Sequence, residues 1–196
     1  MTSPAPAGLY VPKKLRGLPV RDGLPVPWAS AWSEERDFSI RTCPLAKRPA
    51  IFVEPAIGHG DPLWLTLNPV RCREAVFNGR CWVCGHRTSK SWGLGLGGET
   101  HFRGFGRFVL KLPPACFTCA RFSLDAYAGL ATVERVVQVR TGTPICPVHS
   151  RDELAEGFPA LAQIVGRRGA AGLAYLAVVD GSWMDRADFL ELPLPR

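Results

Sequence analysis

"GRCWVCGHRT" (residues 79–88) and "PPACFTCARFS" (residues 113–123) each place two cysteines three positions apart. The pairs Cys81/Cys84 and Cys116/Cys119 are separated by residues 85–115. Such a pair is a redox couple, half of a metal site or a coincidence, and its surroundings decide which. A thioredoxin-like pair follows a strand and opens a helix within a βαβ unit. Gly85 interrupts the chain directly after Cys84, so the first pair reads as a tight knuckle instead. A glycine there can take a positive φ, which turns backbone N–H groups toward the thiolate sulfurs. The second pair follows Pro113-Pro114 and opens a predicted helix, whose positive dipole end favours thiolate over thiol. Four such ligands predict a tetrahedral zinc site made by Cys81, Cys84, Cys116 and Cys119. A knuckle, a hairpin and a helix whose first turn supplies two ligands form the treble-clef arrangement. The expected fold is therefore α+β, with short antiparallel strands around a treble-clef-like zinc core.

The bulk composition fits that expectation. Of 196 residues, 46% are hydrophobic and 21% charged, so a core can be buried and global disorder is excluded. Seven cysteines, four of them in Cys-x-x-Cys pairs, point to metal ligation in a reducing compartment; an odd number cannot form a complete disulfide framework. The start "MTSPAPAGLYVPKK" lacks the apolar run of a secretion signal. The longest apolar stretch, "AAGLAYLAVV" (170–179), is too short to span a bilayer. These features lead to the expectation of a cytoplasmic protein with no membrane segment.

Outward from the cysteines, three regions are expected. Residues 1–33 form a proline-rich arm in which Pro12, Pro19, Pro25 and Pro27 forbid a long helix. The arm should wrap the domain, with Trp28 and Trp32 docked onto it. Residues 34–149 form the zinc-binding core. Within it, strands are expected at 50–55, 63–70, 106–112 and 136–140. A short helix is expected at 71–79, ending at Asn78-Gly79. The strongest helical pattern runs over 116–136, where Phe122, Ala126, Leu130 and Val133 form one apolar stripe. Residues 150–196 should be a helical extension packed on the core. Ser150 and Glu153 give it a capping-box start, and Ser182–Leu190 gives it a last helix.

A second, weaker constellation is Cys146 and His149 in "PICPVHS". With Cys43 and Cys72 as partners they make a candidate second metal site that would use every cysteine. The alternative is unligated thiols and a surface histidine.

The net charge of +7 is uneven. Residues 1–90 carry 13 basic and 7 acidic side chains, whereas residues 150–196 carry 5 and 7. Arg80, Arg87, Lys90 and Arg121 flank the predicted ligands. They can balance the net −2 of a tetrathiolate zinc centre. With Arg103 and Arg107, and with Trp92, Phe102, Phe105 and Phe108 interleaved, they can instead form a face for single-stranded or irregular nucleic acid.

Other motifs are weaker. "GLGLGG" (93–98) matches a dinucleotide fingerprint but lacks the strand before it and the helix after it. It reads as a flexible hairpin between the halves of the zinc site. His59 and His101 lie in glycine-flanked loops, where a general base could sit. HNH-type nucleases also use two cysteine pairs, but residues 85–115 contain neither their Asp-His nor an asparagine.

"GLPVPWASAW" (23–32), "CWVCG" (81–85) and "PPACFTCARFS" (113–123) together resemble an uncharacterised family of small Cys-x-x-Cys, zinc-finger-like proteins of high-GC bacteria and their phages. The family runs Gly-x-Pro-Val-Pro-Trp, then Cys-Trp-Val-Cys-Gly, then Pro-Pro-x-His-x-x-Cys-Ala. Trp28, Cys81, Cys84 and Cys119 match directly. Cys116 stands at the family's histidine, an exchange that zinc tolerates. The family's Gly-Pro-Met-Cys segment is missing here. The resemblance implies a metal site and supplies no activity.

The reading that follows leans away from an enzyme, toward a zinc-stabilised module that binds nucleic acid through its basic and aromatic residues. One alternative is a protein-binding adaptor, acting in phage–host conflict through the arm and Trp32. A less favoured one is a zinc-dependent hydrolase or nuclease using Cys146/His149 and a loop histidine.

Overall fold

The computed structural model describes residues 9–44, 48–95, 107–110, 112–139 and 177–194. They build a mixed α+β structure of antiparallel strands and three short helices around one apolar cluster. No helix among them is long and apolar enough to cross a membrane.

The described part of the proline-rich arm, residues 9–33, has little regular structure, as its prolines require. A single 3-10 turn, Lys13–Leu15, is followed by a two-residue ladder of β1 (Val20–Arg21) and β2 (Leu24–Pro25). The ladder closes through Asp22-Gly23, both at positive φ (51° and 75°), the geometry of a tight type I′ hairpin. Strand β3 (Ser30–Trp32) then pairs with β6 (Pro62–Leu67). The arm supplies Leu15, Leu24 and Ala29 to the central cluster, and Trp32 is 2% exposed. The segment expected to wrap the domain thus contributes to its interior.

Strands β4 (Phe38–Cys43) and β5 (Arg48–Val53) form a separate six-pair hairpin. Helix α1 (Pro69–Phe77) follows β6. Its start is dictated locally. Asn68 accepts hydrogen bonds from the N–H groups of Val70 and Arg71, and Pro69 occupies the first helical position, where its missing N–H is harmless. Gly79, at φ 58°, ends the segment.

The main sheet has the order β8-β11-β10-β7-β9. Its strands are β7 (Ser91–Gly95), β8 (Arg107–Leu110), β9 (Ala115–Cys116), β10 (Arg135–Val139) and β11 (Ala177–Asp185). Helix α2 (Phe117–Ala126) leaves directly from β9. Helix α3 (Arg186–Glu191) leaves directly from β11.

Three sequence expectations are corrected here. The helix expected over 116–136 stops at Ala126, because Tyr127 is extended (φ −98°, ψ 110°). Its ring packs against Trp64, Trp82 and Phe122 at centroid distances of 5.9, 6.5 and 5.7 Å, and its hydroxyl donates to the Pro25 carbonyl at 2.8 Å. Leu130 and Val133 are buried all the same, through a 3-10 turn (Ala128–Leu130) and the lead into β10. The helix expected at Ser182–Leu190 is a strand as far as Asp185. Residues 181–185 complete a ladder with β10, satisfying an edge that would otherwise be bare. A side chain at Gly181 would run into the Gln138 carbonyl, so only glycine fits. Of the glycine-rich stretch 93–98 expected to be a flexible hairpin, the part up to Gly95 is strand, and residues 96–98 lie outside the described residues. Gly93 and Gly95 lie in β7, which pairs with β10 and β9, while β8 pairs with β11.

Candidate metal centre

The sulfurs of Cys81, Cys84, Cys116 and Cys119 lie within 4.8 Å of one another, and all four residues are buried. All four are free thiols rather than disulfides. Metal–sulfur bonds of about 2.3 Å in a tetrahedron give sulfur–sulfur edges of about 3.8 Å, so the quartet has the dimensions to hold one metal ion. Among the described residues this is the only group of three or more ligand-type side chains that could do so.

Each half of the quartet is shaped by short-range forces. In the knuckle, Gly85 N–H donates to the Cys81 carbonyl at 2.8 Å, and Cys81 N–H to the His86 carbonyl at 2.9 Å. Arg80 and Arg87 face each other across an antiparallel bridge, and Thr88 N–H donates to the Gly79 carbonyl. This turn needs Gly85 at φ 74°, and a Cβ there would sit 2.9 Å from the Trp28 ring. The second half is the β9–α2 junction. Cys116 is the N-cap of α2, and it makes no side-chain cap. Its sulfur joins the quartet instead, and Cys119 follows in the first helical turn. The halves meet because β7 and β9 pair, with Ser91 opposite Cys116 and Trp92 opposite Ala115.

The arm locks the knuckle from the other side. Trp28 N–H donates to the Val83 carbonyl at 2.8 Å and Ala29 N–H to the Trp82 carbonyl at 2.9 Å. The Lys14 ammonium donates to the Cys116 sulfur at 3.5 Å. Burial alone would lower the Lys14 pKa, but the negative potential of Cys116, Cys119 and Cys84 outweighs it and holds the group above its usual value.

Four sulfurs this close cannot titrate independently. Hydrogen bonds from Cys116, Cys119 and Cys81 hold Cys84 far below the ordinary thiol range. Hydrogen bonds with Cys116, Cys81 and Cys84 drive Cys119 far above it, and burial pushes Cys81 up as well. The quartet thus sets thiols that hold their protons beside thiols that give them up, and a soft cation bound by all four would displace the remaining protons.

The other expected site residues are placed as follows. Arg80 donates to the Gly85 carbonyl at 2.9 Å and braces the knuckle. Arg121 donates to the Leu192 carbonyl at 2.8 Å. Arg87 and Lys90 are exposed beyond the knuckle. Arg107 opens β8, opposite Asp180 of β11. Cys43 is buried at the end of β4, and Cys72 is buried in α1. Arg103, His101, Cys146 and His149 lie outside the described residues. His59 is exposed in a turn closed by its N–H donating to the Ala56 carbonyl.

Sequence reasoning missed two features. Lys14 reaches the four-cysteine cluster from 102 positions away in sequence, and only its contact with Cys116 reveals it. The second is a buried ion pair. Arg71 grips Glu35 with two hydrogen bonds, 2.7 and 2.9 Å, and also donates to the Ser30 carbonyl. Asn68 and the Trp32 N–H complete the Glu35 carboxylate. These acceptors are consumed by structural donors, so the pair holds β3, α1 and the intervening turn together rather than facing a ligand.

No family model, curated protein or solved structure matches the chain.

Proposed function

We propose that the chain is a zinc-stabilised, non-enzymatic module that binds nucleic acid on the basic surface beside its four-cysteine centre. The observation that carries this reading is the fit of four buried sulfurs to one ion. A tetrahedral set of four sulfurs suits zinc, as it also suits iron, and four protein ligands leave no position for a substrate. A treble-clef reading is supported by a ligand pair in a knuckle and a second pair at a helix start. The same two segments, together with residues 23–32, carry the resemblance to the Cys-x-x-Cys family, which supports a shared metal site.

Nucleic acid is favoured by what surrounds the ion. Lys13, Arg16, Arg87 and Lys90 are exposed, and Lys14 stands against Cys116. Lys90 precedes Ser91, the β-partner of Cys116, so both basic segments border the same ligand. Arg80 and Arg121 serve the scaffold first, through main-chain carbonyls. The adaptor reading loses its anchor, since Trp32 is buried.

A gel-shift or anisotropy titration against salt tests the proposal. Contact with about four phosphates of a single strand gives a log–log slope near −3. The double variant Arg87→Glu/Lys90→Glu is expected to weaken binding about ten-fold or more at low salt and to flatten that slope. Binding insensitive to salt, or undetectable at low salt, contradicts the proposal.

A further inference from the structure

Next to the metal centre, the N-terminal segment and α2 enclose a groove of about 440 Å³. That is within the usual size of ligand pockets, about 300–1,000 Å³. The groove is mixed in character. Leu9, Pro12 and Phe122 give it apolar walls, while Lys13, Lys14 and Arg121 bring positive charge. Thr118 and Asp125, seven residues apart and therefore on one face of α2, add a hydroxyl and a single carboxylate. Lys14 is drawn toward the sulfur cluster, which leaves Lys13 and Arg121 against the one carboxylate, an excess that favours a negatively charged occupant. Lys14 gives one N–H to Cys116 and has three to give.

A second observation converges on the same place. Few large apolar side chains among the described residues are strongly exposed, and the two most exposed, Tyr10 (68%) and Leu194 (57%), both line this groove. Exposed apolar groups that gather at a concave, cationic surface mark a binding site rather than ordinary surface scatter.

We infer that this groove is the base-binding part of the nucleic-acid surface: an unpaired nucleobase stacks against Tyr10 while the adjoining phosphates meet Lys13 and Lys14. A flat ring bearing a nearby negative charge satisfies both the aromatic rim and the charge of the walls. A paired base in a duplex offers no free face to Tyr10. An acidic peptide would match the charge but not the aromatic platform. The inference rests on the nucleic-acid reading above.

The test uses the full chain and two fluorescent strands of equal length and charge, a decathymidylate and an abasic decamer, with anisotropy as readout. The wild-type chain should prefer the decathymidylate by about ten-fold, the order of magnitude of one base–aromatic stack. Tyr10→Ala should abolish that preference and leave abasic binding unchanged, and Tyr10→Phe should retain it. Tyr10 is exposed, so an unchanged metal content and circular dichroism spectrum are expected for both variants. Lys13→Gln should weaken both strands alike. Equal binding of the two strands by the wild-type chain, or a preference that survives in Tyr10→Ala, overturns the groove and leaves the phosphate contacts standing. No binding of either strand overturns the nucleic-acid reading as well. Tighter, Tyr10-dependent binding of a decaglutamate peptide overturns both in favour of a polypeptide partner.

Discussion

Cys116 does three things at once: it ends β9, occupies the N-cap position of α2 and places its sulfur in the quartet. Because zinc accepts imidazole and thiolate alike, Cys116→His is expected to retain one ion per chain, whereas Cys84→Ala is expected to lose it; elemental analysis of the purified variants distinguishes the two. Lys14 touches the centre without entering it. Its replacement by methionine removes the donor to Cys116 and should shift competition with a chromogenic chelator by about ten-fold toward metal loss. Gly85→Ala places a Cβ at positive φ and against the Trp28 ring. A destabilisation of about 2 kcal/mol in denaturant unfolding is expected. Cys72 supplies a prediction in pH. Burial, only partly offset by Arg73, pushes its thiol up from 9.0 to about 12. A raised folded value means stability is fully present below the unfolded value. That stability is lost as pH rises from about 9 toward 12, because the unfolded chain releases the proton first. Urea unfolding should therefore show stability falling over that range, and falling less in Cys72→Ala.

Among the secondary-structure elements, the ones legible in sequence are those whose signals are local. Asn78-Gly79 ends α1, although its start at Pro69 falls within the strand expected at 63–70, and Pro113-Pro114 with the second cysteine pair announces α2. The strands β5, β6, β8 and β10 fall close to their β-branched or aromatic runs. Failure came where tertiary contacts override periodicity. Leu130 and Val133 keep helical spacing with Phe122 and Ala126, yet Tyr127 leaves the helix to reach Pro25 and the tryptophans. Nothing near Tyr127 in sequence foretells a partner 102 positions away. Likewise Ser182–Asp185 is a strand because β10 offers it an edge. The Glu35–Arg71 pair escaped for the same reason, with 36 positions between its members. Arg71→Met leaves a buried carboxylate unpaired and should cost about 3–5 kcal/mol in thermal or denaturant unfolding. The double variant Glu35→Gln/Arg71→Met should cost clearly less than the sum of the single changes.

Over the whole molecule, the four-cysteine cluster lies where separate parts of the fold meet. The knuckle comes from residues 81–85, the helix start from 116–119, and the arm reaches both through Lys14, Trp28 and Ala29. From the far side, α3 sends Phe189 against Trp92 and Phe117, at 4.9 and 5.1 Å, directly beside the ligand-bearing strand and helix. Arg186 at the head of α3 donates to the Leu124 carbonyl in the last turn of α2, at 2.8 Å. An arm so placed is part of the fold, and a chain lacking residues 1–33 should lose its near-ultraviolet circular dichroism and its sharp thermal transition. The quartet was legible because metal geometry restricts which cysteine spacings make sense, while the basic groove was not, because it is assembled from residues 9–14, 118–125 and 194. The most direct test of the central claim is X-ray absorption at the zinc edge on the purified chain, combined with metal stoichiometry. One zinc per chain with four sulfur neighbours at about 2.3 Å is the result predicted. A chain without stoichiometric metal, an ion held by nitrogen or oxygen, or Cys81, Cys84, Cys116 and Cys119 found in disulfides would contradict it.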